Sequence, residues 1–373
     1  MATERDMFDA LIQHQVYSYR ASTAVVNEMQ EMFNSSSNKV ISEIRNILDD
    51  LTELEKTAFV AGNYNTDDLK ELKSLFDDWM IVLNTSIPEA LIVSSTALVA
   101  YESVYVSKLY GEELALNAKK IISNANKKPV VDGLLFNEIW KNLGEKVRRE
   151  SISIVREGVD NGLTTQQIVQ SLRGERIKKN GKYEYVGGLV NKTKSQIESD
   201  VRTIRSHYSQ VAYSETFTAL GFDYVKDVAT LDGKTSFTCI KVDGRVQKVG
   251  VGLKSPPYHR RCRTIQIGCD KDGNIDGKRP YVEDTRSVKD IPKDERTDKI
   301  GQVDANVTYK DWFERLPENL QKDVLGSTRF KLWKGGEIAL DKFVDDNGKP
   351  IKISELRHID EDAFKRLGLW KIY

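Results

Sequence analysis

Much is missing from these 373 residues, and each absence closes a class of function. Cysteine is scarce: Cys239, Cys262 and Cys269 form an odd set, which argues against a disulfide framework. The opening residues MATERDMFDALIQHQ carry acids and no apolar stretch, so no secretory signal is read there and a reducing, cytoplasmic setting is expected. Long hydrophobic runs are lacking too. The most apolar window, ALIVSSTALVAY (90–101), lies between Glu89 and Glu102 and falls short of the roughly 20 residues that span a bilayer, so a buried helix and no membrane partner are expected. Neither sign of charge is in excess, with 56 basic and 56 acidic residues, so any attraction to nucleic acid must come from a local patch. GxSxG, HExxH, GxxxxGK[ST] and a GxGxxG following a strand are absent, which leaves hydrolase and nucleotide-binding readings without an anchor.

What is present is charge and helical periodicity. Charged residues make up 30% of the chain against an average of about 25%, which fits a helical, water-exposed protein, and the length fits two or three domains. Val40, Ile41, Ile44, Ile47, Leu48, Leu51 and Leu54 form one apolar stripe within an expected N-terminal bundle. Breaks are expected at NSSSN (34–38), AGNYNTDD (61–68) and NTSIP (84–88), giving four helices, the last from about Pro88 to Lys119, with Thr66 as an N-cap. Pro129 in NANKKPV marks a boundary. A helix follows through Phe136 to Ile154, and Thr164 with Gln167 has the form of a capping box on a short helix that Gly174 ends. RIKKNGKYEYV reads as an Asn-Gly hairpin, and residues 193–220 return to helix. DYVKDVATL, TSFTCIKV and RTIQIG then read as strands separated by Asp-Gly turns, in which Asp232 and Asp243 cap their own turns. The expected fold is α+β: a mainly helical N-terminal bundle (1–127), a core of helices and a small antiparallel sheet (128–280), a charged linker (281–306) and a small C-terminal α/β module (307–373).

Cys239, His259, Cys262 and Cys269 are the chain's best metal-ligand inventory, spaced C-x19-H-x2-C-x6-C. H-x2-C resembles half a zinc pair, yet no compact second pair accompanies it. The favoured reading packs the cysteines as small apolar side chains and lets His259 bond a turn, with no cofactor and no bound zinc. A Cys/His nucleophile is the remaining alternative, without an identifiable orienting Asn or Asp. From Lys241 to Arg263 the basic residues Lys241, Arg245, Lys248, Lys254, Arg260, Arg261 and Arg263 face a single acid, Asp243. Lys248, Lys254, Arg260 and Arg261 are the candidates for phosphate contact.

The order of these pieces resembles the central region of the Mu F-like head morphogenesis proteins, minor head proteins of tailed bacteriophages. The matching residues are Arg202 and Thr203 on a helix, Asp232, Gly233, Thr235 and Cys239 in DGKTSFTC, the turn Asp243-Gly244, and Pro257, His259, Cys262 and Arg263 in PPYHRRCR. The likeness covers roughly residues 130–270, and DWFERLPENLQKDVLG looks like a C-terminal extension found in such proteins. The resemblance implies a non-enzymatic virion protein inside the head near the portal, made in the host cytoplasm. Its implied partners are the portal protein, the major capsid or scaffolding protein, and packaged double-stranded DNA. The alternative is a zinc-stabilised or Cys/His-dependent nucleic-acid-binding or processing protein. On the favoured reading SPPYHRRCRT is a structural clasp.

Overall fold

The computed structural model describes residues 4–370 other than 180, 251, 276, 346 and 347. The fold is α+β and mainly helical, as the periodicity predicts. It divides into two compact units. A helical unit comprises Tyr19–Leu98 and Ile122–Arg205, and a mixed unit comprises Met1–Ser18, Val99–Ile121 and Ser206–Tyr373.

The first half runs through α1 (Glu4–Asp50), α2 (Glu53–Val60), α3 (Asp67–Ile81), α4 (Ile87–Leu109), α5 (Ala118–Ala125), α6 (Phe136–Asp160), α7 (Thr165–Arg173), the hairpin β1 (Glu175–Lys179) and β2 (Lys182–Val186), and α8 (Gly188–Ala219). Two expected breaks are absent. NSSSN does not interrupt α1, because Phe33, Val40, Ile41 and Ile44 keep the buried stripe going on either side of it. Within it Ser37 Oγ donates to the Phe33 carbonyl (2.7 Å) and accepts from Trp79 Nε1 (3.0 Å), so the serine serves the helix instead of ending it. NTSIP is bridged by a π-helical turn, Val82–Ser86, a wider coil that tolerates the missing N–H of Pro88. The result is continuous helix from Asp67 to Leu109. It contains an 18-residue window of mean hydropathy 1.4, which by length and composition alone could cross a membrane, although Leu83, Ile87 and Leu91 lie in the core. The helix expected to reach Lys119 ends at Leu109.

The local signals hold. Thr66 accepts from Leu69 N, Thr164 and Gln167 form the capping box, and Gly174 closes α7 at φ +102°. Asn180 of the hairpin turn lies outside the described residues. The helical unit is built around α6 packed on α2 and α3, burying Leu69, Leu72, Phe76, Trp79, Ile139, Trp140, Leu143 and Val147. Gly144 permits a close approach, since a Cβ there would stand 2.4 Å from Asn84 Oδ1.

The second half contains β3 (Tyr224–Val228), β4 (Leu231–Asp232), α9 (Phe237–Val242), β5 (Val246–Lys248), β6 (Ile265–Cys269), β7 (Lys278–Val282), α10 (Arg296–Lys299), β8 (Ile300–Asp304) and the helices α11 (Tyr309–Glu314), α12 (Glu318–Leu325), α13 (Ser327–Lys334), α14 (Ile353–Ile359) and α15 (Glu361–Arg366). One sheet is antiparallel in the order β5-β3-β6, with Val225 opposite Gly268 and Gln247. A second has the order β4-β7-β8, parallel between β4 and β7 and antiparallel between β7 and β8. TSFTCIKV, expected as a strand, is instead helix α9, because Ser236 accepts from Cys239 N and caps its start. The supposed linker 281–306 supplies the end of β7 and all of β8. Its charges are used locally: Arg286 and Lys299 both bridge Asp284 and Glu295.

Two apolar clusters flank these sheets. Val225, Val228, Ile265 and Ile267 meet Val106, Tyr213 and Phe217. Leu231 and Ile240 belong to the same cluster as Tyr309, Trp312, Phe313, Phe330, Phe343 and Phe364, so the C-terminal helices share a core with the Asp-Gly segments.

Candidate functional site

The segments singled out by the sequence converge where β3, β4, α9 and the turn 255–263 meet. Asp232 caps its own turn as expected, accepting from Lys234 N (3.0 Å), and also receives Arg263 through two bonds of 2.5 and 2.8 Å. Thr235 Oγ1 joins this group by donating to the Thr230 carbonyl (2.5 Å). Gly233 lies against α12 and the segment after β7, where a Cβ would come within 3.1 Å of Val324 and 3.3 Å of the Asp284 carbonyl.

Asp243 departs from expectation. Its carboxylate does not cap its turn but is buried, accepting from Ala229 N and Tyr309 N (2.6 Å each) and from both terminal nitrogens of Arg279 (3.0 and 3.2 Å). Arg279 also donates to the carbonyls of Val307 (2.8 Å) and Ala229. Side chains of this pair are 3% and 1% exposed, so a fully desolvated charge pair ties α9, β7 and α11 together. Gly244, at φ +81°, makes the turn that follows. The sequence hid this arrangement because Arg279 lies in a polar loop run, KDGNIDGKRP, with no pattern to mark it as interior.

Asp227 on β3 anchors a third group. It accepts from Tyr258 (2.6 Å), Arg245 (2.8 Å) and Gln247 (3.1 Å). Burial is the largest influence on its carboxyl and pushes the pKa up to about 6, against the lowering effect of Tyr258 and Arg245. Burial likewise raises the Tyr258 hydroxyl far above its ordinary range.

Pro256 and Pro257, both buried and joined by a cis peptide, lead into the His259 turn. Arg261 sits in the left-handed region at φ +60°, and Cys262 N donates to the His259 carbonyl (3.1 Å). The turn delivers His259 and Cys262 to the first turn of α9. His259 Nε2 stands 2.7 Å from Ser236 Oγ and 3.0 Å from Cys239 Sγ, and the Cys239 and Cys262 sulfurs are 3.6 Å apart. Cys239 and Cys262 are each 3% exposed. Burial works to raise the Cys262 thiol, but hydrogen bonds from Cys239 and His259 outweigh it and hold the thiol well below its ordinary value. Cys239 is held well above its own by its bond to Cys262 and by burial. Burial would lower His259, yet neighbouring Cys262 leaves it raised.

Cys269 does not join them. It ends β6, paired with Tyr224 in the apolar cluster beneath the sheet, and burial lifts its thiol to about 11. Arg202 and Thr203 belong to the helical unit, where Arg202 pairs with Glu198 (2.9 Å) and Thr203 bonds the Ser199 carbonyl (2.6 Å). Lys248, Lys254 and Arg261 are exposed and Arg260 is half-buried, so the basic run divides. Arg245 and Arg263 are committed to internal carboxylates, and Lys241 to the Asp345 carbonyl. Sequence reasoning missed Ser236, Asp227, Tyr258, Arg279 and Tyr309. Only Ser236, three residues before Cys239 in S-x2-C, left a readable signal.

Set against known proteins, the chain matches no protein-family model, no curated protein and no solved structure.

Proposed function

We propose that the protein is a structural, non-enzymatic component of a tailed-bacteriophage head, held near the portal vertex, with the portal protein as its main partner and capsid or scaffolding protein and packaged DNA as further contacts. One observation carries the reading: Asp232, Asp243 and Arg263, charged residues that resemble the Mu F-like pattern, act as fasteners, bonded to other side chains and to backbone. Asp232 with Arg263 and Asp243 with Arg279 lock loops together, the second pair with both side chains almost fully buried. Cys262, at 3% exposure, is poorly placed as a nucleophile.

The exposed Lys248, Lys254 and Arg261 suit weak phosphate contact without base readout. Such binding falls steeply with salt. Lys248→Glu with Lys254→Glu should abolish retention on duplex DNA at low salt while the fold survives. Equal retention of this variant assigns the patch to another role.

The functional reading is tested by mass spectrometry of purified particles from the source of this sequence. A few copies per particle, co-purifying with the portal from disrupted heads, is the expected result. A source without portal and terminase genes near this one, or particles lacking the chain, would overturn it.

A further inference from the structure

We propose that Ser236, Cys239, His259 and Cys262 form a binding site for a single zinc-class divalent cation, which pins α9 to the His259 turn. The proposal stands on geometry and is independent of the phage reading. Ligand atoms at zinc-bond lengths around a tetrahedral centre lie roughly 3.3–3.8 Å from one another. Here the two sulfurs are 3.6 Å apart, Cys239 Sγ is 3.0 Å from His259 Nε2, and the metal-binding atoms of Cys239, His259 and Cys262 all fall within 4.8 Å of each other. The sulfur–sulfur separation already matches a shared tetrahedral centre, and Cys239 Sγ and Nε2 would have to part by about half an ångström to admit a cation.

The imidazole is oriented for the task. Its Nδ1 lies 2.8 Å from the Arg260 carbonyl, an acceptor that fixes a proton on Nδ1 and leaves Nε2, 3.0 Å from Cys239 Sγ, as the nitrogen that would meet a metal. This backbone partner is the outer-shell contact that metal-bound histidines ordinarily carry. The spacing objection raised by the sequence disappears once TSFTCIKV is a helix. Ser236, which caps α9, and Cys239 in its first turn present a compact S-x2-C half beside H-x2-C. Ser236 Oγ stands 2.7 Å from Nε2, and as a fourth ligand this neutral hydroxyl, or a water, would complete the set more weakly than a thiolate. Cys269 is excluded by its place in β6.

Binding would release every proton held on the Cys239 and Cys262 sulfurs and on His259 Nε2, since the metal takes thiolates and a neutral imidazole, and no oxidant or reductant is involved. The full-length reduced protein, stripped with chelator, is titrated with Zn²⁺ alone and separately with Co²⁺ alone. The expected result is one ion per chain, a Co²⁺ spectrum with thiolate charge-transfer absorption, and protection of Cys239 and Cys262 from alkylation. Cys262→Ser should weaken binding at least a hundredfold, and Cys269→Ser should leave it unchanged. Should Cys262→Ser fail to fold, Ser236→Cys supplies the second arm, since a third thiolate is expected to tighten Zn²⁺ at least tenfold. Stoichiometric uptake without thiolate absorption places the metal on surface carboxylates and overturns the proposal. Failure of Ser236→Cys to tighten binding, or absence of uptake at micromolar Zn²⁺, overturns it equally.

Discussion

In the helical unit α3 and α6 pack together and bury Leu72, Phe76, Trp79, Ile139, Trp140 and Leu143, with the partly exposed pair Asp77 and Arg148 joining the two helices at the margin. In the mixed unit, equally buried positions are held by Asp227, Asp243 and Arg279, whose charges are matched to one another or to backbone groups. Short strands and loops explain the contrast. Helices satisfy their own backbone and need only an apolar stripe to associate. The two- to five-residue strands of the mixed unit leave loop N–H and C=O groups that must find partners elsewhere. Asp243 and Arg279 supply them for Ala229, Val307 and Tyr309. A buried ion pair of this kind specifies an arrangement more than it adds net stability, and losing one partner strands the other.

The comparison predicts unequal responses to substitution. Arg279→Ala should destabilise the mixed unit by about 3–5 kcal/mol by leaving Asp243 buried and uncompensated. Hydrogen exchange should accelerate through β7, β8 and α11 while α3 and α6 keep their protection. Leu72→Ala should do the reverse, costing about 3 kcal/mol in the helical unit through a cavity. If either variant loosened both units alike, the separation drawn between them would fail.

Acidity provides a third probe. Asp227 is faced by the Arg245 guanidinium and the Tyr258 hydroxyl, and its folded-state pKa of about 6 lies above the roughly 4 of an unfolded aspartate. A raised carboxylate pKa means that the folded state holds the proton more tightly. Its contribution is complete below about pH 4 and is lost as pH climbs through about 6. Exchange in β3 and β5, corrected for its intrinsic pH dependence, should quicken across that window and lose this component in Asp227→Asn. Quickening on acidification instead would show that the Arg245 pairing outweighs burial. The smallest effect is expected at Thr164→Ala, about 1 kcal/mol, confined to fraying of α7. A loss of several kcal/mol there would mean that the capping box is tied to packing as well as to the helix end.

Legibility followed the same divide. Thr66, Thr164 and Gly174 were readable because a cap depends on neighbours three residues away. The stripe through Val40, Ile41 and Ile44 was readable because a helix repeats. NSSSN misled because Ser37 bonds its own helix and Trp79, a partner 42 positions distant. TSFTCIKV has the composition of a strand, yet Ser236 caps a helix that Cys239 and Ile240 bury. The run 281–306 looked like solvated linker because composition does not reveal that Asp284, Arg286, Glu295 and Lys299 neutralise one another. Of the cysteine and histidine inventory, spacing marked only His259 and Cys262 as a compact pair. The three-dimensional arrangement brought Cys239 and Ser236 to that pair and set Cys269 apart in β6.

The claim that these residues fasten the fold is tested most directly by a double-mutant cycle on Asp243 and Arg279, using Asp243→Ala, Arg279→Ala and the pair. Stability of the mixed unit would be read from the slowest-exchanging amides of β7 and α11. The fastener account predicts strong coupling, with the double variant losing no more than either single one and a coupling energy of about 3 kcal/mol or more. Additive losses, with the double variant equal to the sum of the singles, would contradict it.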